Sequence, residues 1–244
     1  MIMEKTVNNI DTPYEAIILA GGLGTRLKSV ISNVPKCMAP VAGKPFLHYV
    51  INYLLQQGVN KFIFALGYLS EIIEKFLIIN YPNLQYQVVI EKEPLGTGGA
   101  IHLACSKATE EDILILNGDT FFEVDVLSVF KLHLQKHAAC TVCLKAMQEF
   151  DRYGVVELDE NSIITSFKEK QFYYQGLING GVYVINRPQF LTKNLPQKFS
   201  FEKDYLEKYV GEGNFTGIEQ KAYFIDIGLP EDYNKAQEDF STKY

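Results

Sequence analysis

The chain has 244 residues, 47% of them hydrophobic, which is enough for one α/β domain with a sizeable core. Its 23 Lys and Arg stand against 29 Asp and Glu, a net charge of −6 with the basic residues scattered, so a broad nucleic-acid surface is excluded while a local cationic pocket is allowed. No run approaches the roughly 18 apolar residues of a membrane span, and "MIMEKTVNNIDTP" has no apolar h-region or cleavage site, so a cytoplasmic chain with no membrane partner is expected.

Residues 1–13 read as an N-terminal tail, and 14–240 as a single domain with no Pro- or Ser-rich linker and no repeat. "EAIILA" is the first strand. "PFLHYVINYLLQQG" has helical spacing and ends in Gly58 as a C-terminal cap. "KFIFAL" follows as a strand, "SEIIEKFLIINY" as a helix with Ser70 at its N-cap, and "QYQVVIE" as a strand. "GTGGAIHLACSKA" (helix), "DILILNGD" (strand), "DVLSVFKLHLQKH" (helix) and "ACTVCLKA" (strand) continue the alternation. Repeated β-α units predict a mainly parallel sheet covered on both faces, with ligands bound outside the carboxyl ends of the strands.

After Ala146 the texture changes to shorter strands, "YGVVELDE", "IITSFKEK", "INGGVYVIN" and "AYFIDIG", with helices around Glu202 to Tyr209 and Glu231 to Phe240. This half is expected to add mixed or antiparallel strands to the same sheet. The fold class predicted is therefore α/β: three layers, Rossmann-like, around a mixed but mainly parallel sheet. Past "PEDYNKAQEDF" only Ser241 to Tyr244 remain, so no appended domain is expected, and a homo-oligomer is left open.

Directly after the first strand, at Ala20, come Gly21, Gly22 and Gly24, then Thr25 and Arg26. A glycine turn after a strand brings backbone N–H groups close to an anion without side-chain obstruction. The loop is neither a Walker A motif, since Arg26 and Leu27 follow Thr25, nor a dinucleotide fingerprint, since "FIFALGY" ends without an acidic residue. Lys36, between Pro35 and Pro40, supplies a second fixed cation after Arg26. Two cations beside backbone donors suit a triphosphate attacked at one phosphorus.

Asp119 follows "ILILN" and Asp226 follows "AYFI", so both stand at strand ends, and two carboxylates brought to one edge make a hard-oxygen site for Mg²⁺. The pair in "CTVC", Cys140 and Cys143, lies three apart on a strand and points to opposite faces, which argues against a shared metal. His48, His102, His133 and His137 sit in helical patterns and are expected to pack or cap.

These motifs together, "GGLGTRL" with "PK", "EPLGTGGA", "LNGD", "RYG", "KEK", "INGGVY" and "FIDIGLPEDY", resemble the sugar 1-phosphate nucleotidylyltransferases from about Tyr14 to Phe240. The resemblance is fullest to the D-glycero-α-D-manno-heptose 1-phosphate guanylyltransferases among them. The sequence departs from the common pattern at Cys37, where many relatives have proline, and at Leu229.

The resemblance implies a GT-A-like fold, a nucleotide-binding part over 14–146 and a sugar-phosphate-binding part over 147–240. It implies catalysis by Arg26, Lys36, Asp119 and Asp226, with the two aspartates holding Mg²⁺. It places the base over the glycine loop, read from "EKEPLGTGG" with Gly96 and Thr97; a carboxylate from Glu91 or Glu93 would accept the adjacent N1–H and N2–H₂ donors of guanine, which favours GTP. It assigns Glu169 and Asn179 to sugar hydroxyls, Lys170 to the sugar phosphate, and Tyr153, Gly154 and Gly180 to the same cleft. The substrates implied are GTP and a manno-configured heptose 1-phosphate, for a bacterial surface glycan such as lipopolysaccharide or capsule. Mannose 1-phosphate guanylylation, N-acetylmuramate 1-phosphate uridylylation and a silent nucleotide-sugar sensor are the alternatives; a glycosyltransferase would carry a D-x-D-like motif, which "GDTFF" lacks.

Overall fold

The structure is a computed structural model and describes residues 14–22 and 34–244. In chain order its elements are β1 (Tyr14–Ala20), β2 (Pro40–Val41), β3 (Lys44–Pro45), α1 (Phe46–Gln56), β4 (Val59–Leu66), α2 (Ser70–Asn80), β5 (Gln85–Ile90), α3 (Gly96–Cys105), β6 (Asp112–Asn117) and β7 (Thr120–Phe122). There follow α4 (Val126–Gln135), β8 (Cys140–Phe150), β9 (Val156–Leu158), β10 (Ile164–Phe167), β11 (Tyr173–Asn186), α5 (Arg187–Leu191), a π-helix (Phe201–Glu207), β12 (Phe215–Glu219), β13 (Phe224–Asp226) and α6 (Pro230–Lys243).

One seven-stranded sheet, ordered β12-β8-β11-β6-β1-β4-β5, runs through both halves of the chain. β1 pairs in parallel with β4 and β6, β4 with β5, and β8 with β12, whereas β11 is antiparallel to both of its neighbours. This is the mixed, mainly parallel sheet expected of the sequence.

Its strands read as unbroken apolar runs because both faces are covered. Along β1, Ile17 enters one core while Ala16, Ile18 and Ala20 enter the other, and β4 splits Ile63 and Ala65 from Phe62, Phe64 and Leu66 in the same way. On the Ile18 face pack α1, α2, α4 and α6, through residues such as Phe46, Leu77, Phe130 and Phe240; α3, α5 and the π-helix cover the other through Ile101, Phe190 and Tyr205. Cys143 lies in the first core and Cys140 in the second, so the strand separates the two thiols as their spacing requires. All four cysteines are free and buried.

Local signals hold at some helix ends. Gly58 follows α1 with φ +87°, and the Asp125 side chain accepts the Ser128 N–H to cap α4. Ser70 is a correction: it is the first residue of α2, the capping position being Leu69 in the left-handed region (φ +56°), and no side chain caps this helix. The chain turns into α2 through backbone geometry, a signal that a leucine does not advertise.

Candidate active site

The parallel strands deliver their carboxyl ends to one edge. Ala20 and Gly21 leave β1 there, Gly67 leaves β4, Glu91 leaves β5, and Gly118 and Asp119 leave β6. The Gly118 N–H donates to the Leu19 carbonyl at 2.8 Å, which carries the β6 end alongside β1.

Asp119 directly precedes β7, and β7 pairs antiparallel with β13 so that Thr120 faces Asp226. The Ile227 N–H donates to the Asp119 carbonyl at 3.1 Å, locking the two carboxylate-bearing segments together. Lys36 arrives from a short 3₁₀ turn over Lys36–Met38, closed by the Met38 N–H on the Pro35 carbonyl at 2.8 Å and anchored by buried Cys37 and Met38. Its Nζ lies 2.5 Å from Asp119 Oδ2 and 3.4 Å from Asp226 Oδ1. Three residues assigned to catalysis from their motifs are therefore in direct contact.

Burial opposes the Lys36 charge, but the charges and hydrogen bonds of Asp119 and Asp226 outweigh it and raise the ammonium's pKa. Asp226 is held above the usual carboxylate range, first by burial and then by the Asp119 charge, against the pull of Lys36 and of the Gly228 N–H that donates to its Oδ1 at 2.8 Å. Among the described residues no group of three or more His, Cys, Asp or Glu could hold a metal. Two carboxylates with remaining positions left for phosphate and water are the donor set that suits Mg²⁺, so these residues fit the ion.

Beside them stands Glu91. Its N–H donates to the Leu66 carbonyl at 2.8 Å, and its Oε2 accepts the Leu95 N–H at 2.8 Å. Its Oε1 comes 2.5 Å from where a Cβ on Gly21 would stand, so the carboxylate lies against the start of the glycine loop. Burial raises its pKa, partly offset by the Leu95 N–H. Glu93 is exposed. Of the two carboxylates weighed for the base, the fold brings Glu91 to the loop.

Gly96 takes φ +75° with its Cα against the Phe199 carbonyl. The Thr97 hydroxyl donates to Glu202 Oε2 at 2.7 Å and accepts the Phe201 N–H at 2.9 Å, tying α3 to the π-helix. This polar tie, with Glu202 also accepting from the Ser200 hydroxyl at 2.9 Å, was not foreseen. A Thr and a Glu 105 residues apart give no local signal of it.

In the second half, Tyr153 is half-buried with its ring edge-on to Phe224, and Gly154 lies where a Cβ would meet the Lys168 carbonyl at 2.2 Å. Arg152 donates to Asp232 Oδ2 at 2.8 Å and Glu231 Oε1 at 3.1 Å, joining the "RYG" turn to the start of α6, just after Asp226. Glu169 and Lys170 are exposed. The Asn179 amide donates to the Tyr183 hydroxyl at 2.9 Å, and its Oδ1 accepts the Gly181 N–H at 2.9 Å, so it braces the irregularity of β11 between Asn179 and Tyr183. Gly180 packs where a Cβ would meet the Phe122 ring, and Gly181 has φ +71° against Asn117 Nδ2. Gly24, Thr25 and Arg26 lie outside the described residues.

His133 is buried, bonding Thr141 Oγ1 through Nδ1 and Asp112 Oδ1 through Nε2, and His48 bonds Asn52 and Tyr81. Both pack, as their helical positions suggested.

A model of the family described as nucleotidyl transferase matches residues 15–243. The chain belongs to that family. Among its relatives, the D-glycero-α-D-manno-heptose 1-phosphate guanylyltransferase of Aneurinibacillus thermoaerophilus is 50% identical over 225 residues, 92% of this chain and 97% of the other. The protein of the same name from Campylobacter jejuni is 45% identical over 224 residues, 90% of this chain and 96% of the other. The crystal structure of HddC from Yersinia pseudotuberculosis complexed with GMP-PN superposes with a TM-score of 0.84 at 40% identity, covering 93% of this chain and 99% of that one. The chain is thus a nucleotidyl transferase over nearly its whole length, with the family's Rossmann-like architecture. No helix among the described residues is long and apolar enough to cross a membrane.

Proposed function

We propose that this nucleotidyl transferase joins GTP to D-glycero-α-D-manno-heptose 1-phosphate, giving GDP-heptose and pyrophosphate for a bacterial surface glycan. The observation that carries the reading is the contact of Lys36, Asp119 and Asp226 beside the Glu91 carboxylate, in a chain half identical to a guanylyltransferase of that specificity. A sugar phosphate oxygen attacks the α-phosphorus of the nucleotide in line and pyrophosphate leaves. The second pKa of a phosphate monoester is near 6, so the nucleophile is already ionised at neutral pH and the chain need not supply a base.

The work of the residues is therefore positioning and charge neutralisation. We assign Lys36 to the charge that develops at the α-phosphate, Arg26 to the leaving β,γ-phosphates, and Asp119 and Asp226 to a divalent cation, Mg²⁺. When bound, that ion supplies charge neutralisation to the reacting phosphates. Glu91 accepts the N1–H and N2–H₂ edge of guanine over the Gly21, Gly22 and Gly24 loop. Residues 14–146 carry the nucleotide and 147–240 the sugar phosphate, with Tyr153, Gly154, Glu169 and Lys170 on the sugar side and Asn179 and Gly180 shaping that wall. Four free thiols and no membrane-spanning helix among the described residues support a cytoplasmic setting.

The test is pyrophosphate release by the purified chain with Mg²⁺, each of GTP, ATP, CTP, UTP and dTTP, and a panel of sugar 1-phosphates. Release with GTP and the heptose phosphate alone is the expected result. Release with another pair would refute the substrates and keep the mechanism, and release with none would leave a sensor.

A further inference from the structure

The position of Lys36 carries more than its role toward phosphate. Its ammonium lies between the oxygens that the preceding reading gives to a divalent cation, 2.5 Å from Asp119 Oδ2 and 3.4 Å from Asp226 Oδ1. A Cβ on Gly228 would come 2.8 Å from Nζ and 2.9 Å from Asp226 Oδ1, so the Gly228 backbone lies directly against the ammonium and its carboxylate partner. The Gly228 N–H holds Asp226 Oδ1 in that orientation.

The base of the side chain is fixed by its turn. Cys37 and Met38 are buried beside it and the 3₁₀ turn is closed at both ends, by the Met38 N–H on Pro35 and the Ala39 N–H on Lys36. The flexible stem of a lysine can still swing its head between partners.

Two half-buried carboxylates brought to one point repel each other, and a cation placed between them offsets that repulsion. Lys36 supplies that charge through its contacts with both. A divalent ion approaching the same oxygens must displace the ammonium or sit against it, and like charges at contact distance in a partly desolvated site repel strongly. A nucleotide changes the balance by offering phosphate oxygens as a second partner for the ammonium.

We propose that Lys36 is the resident cation of the carboxylate pair: it holds Asp119 and Asp226 together until nucleotide phosphate draws it away, and the pair becomes available to the divalent ion only then. This rests on the reading of Asp119 and Asp226 as the metal carboxylates. By linkage, nucleotide and divalent ion strengthen each other's binding by the same factor, and part of that factor belongs to Lys36.

Mn²⁺ is the probe, since the free ion is counted directly by electron paramagnetic resonance. The full chain is titrated with Mn²⁺ alone and with a GTP analogue whose α,β-bridge cannot be cleaved, as the native protein, Lys36→Met, Lys36→Arg, and Lys36→Met combined with Asp226→Asn. Without nucleotide, Lys36→Met is expected to bind Mn²⁺ about tenfold more tightly than the native chain, within the usual range of coupling between sites. Lys36→Arg keeps the charge and should stay weak. The tightening by the analogue should shrink in Lys36→Met. Lys36→Met binding no more tightly than native, or Lys36→Arg binding as tightly as Lys36→Met, overturns the proposal while leaving the carboxylate site intact. Mn²⁺ held equally by the double variant overturns the carboxylate reading and the proposal with it. Lys36→Met is also expected to melt lower than native in metal-free buffer and to recover with Mn²⁺, and failure to fold at any Mn²⁺ concentration counts against the proposal.

Discussion

Glu91 holds its carboxylate between the Leu95 N–H and the Cα of Gly21, with burial raising its pKa. Because folding raises that pKa, the native chain takes up this proton at a higher pH than the unfolded chain does. The charged form therefore costs stability above the folded pKa, and the cost disappears as pH falls through it. The guanine recognition proposed for Glu91 runs the other way, since the carboxylate presents one charged acceptor oxygen to each of the two donors. Glu91→Gln is expected to lower kcat/KM for GTP by about 10- to 100-fold, the range of a lost charge-assisted hydrogen bond, with little change in melting temperature at neutral pH. In the native enzyme KM for GTP should rise as pH falls through the raised Glu91 pKa, and the Glu91→Gln profile should lack that limb. Steady-state kinetics across pH with GTP and UTP checks both.

At the scale of elements, the packing of α3 against the Phe199 segment and π-helix places the second glycine motif. A Cβ on Gly98 would stand 2.1 Å from the Phe199 ring, far inside contact distance. Gly98→Ala should cost about 1–3 kcal/mol as overpacking, read from the urea midpoint. In β11 the demand is conformational. Gly181 has φ +71°, and the Asn179 side chain spans the bend by accepting its N–H. Gly181→Ala should cost about 1–2 kcal/mol for the left-handed backbone, and more from contact with Asn117 Nδ2 at 2.8 Å, by the same measurement.

For the whole molecule, the sheet converts distance along the chain into contact. Lys36 is 83 residues from Asp119 and 190 from Asp226, yet its ammonium bonds both. Asp119→Asn should lower kcat by roughly 10²–10³, the usual loss when one group that stabilises transition-state charge is removed. Single-turnover rates in saturating GTP and sugar phosphate would separate that loss from weakened binding. The variant should still fold, because amide and carboxylate have the same shape and the Asp119 backbone bond to Ile227 is kept.

The α/β alternation and the strands of the sheet's centre are legible in residue order alone, because a strand buried on both faces must be an apolar run, as β1, β4 and β6 are. Residue order also places Asp119 and Asp226 at strand ends and the glycines after β1, since those residues interrupt such runs. The edge strand β12, "FTGIE", escaped notice because it is short and carries a glycine, and β7 lay hidden behind Asp119. It takes the folded chain to show that Glu91 rather than Glu93 reaches the glycine loop, that Thr97 and Asn179 brace neighbouring segments, and that Lys36 stands between the two aspartates. Patterning along a chain records which face of an element is buried, whereas these contacts depend on the order in which the strands lie side by side, which is settled by the packing of both cores at once.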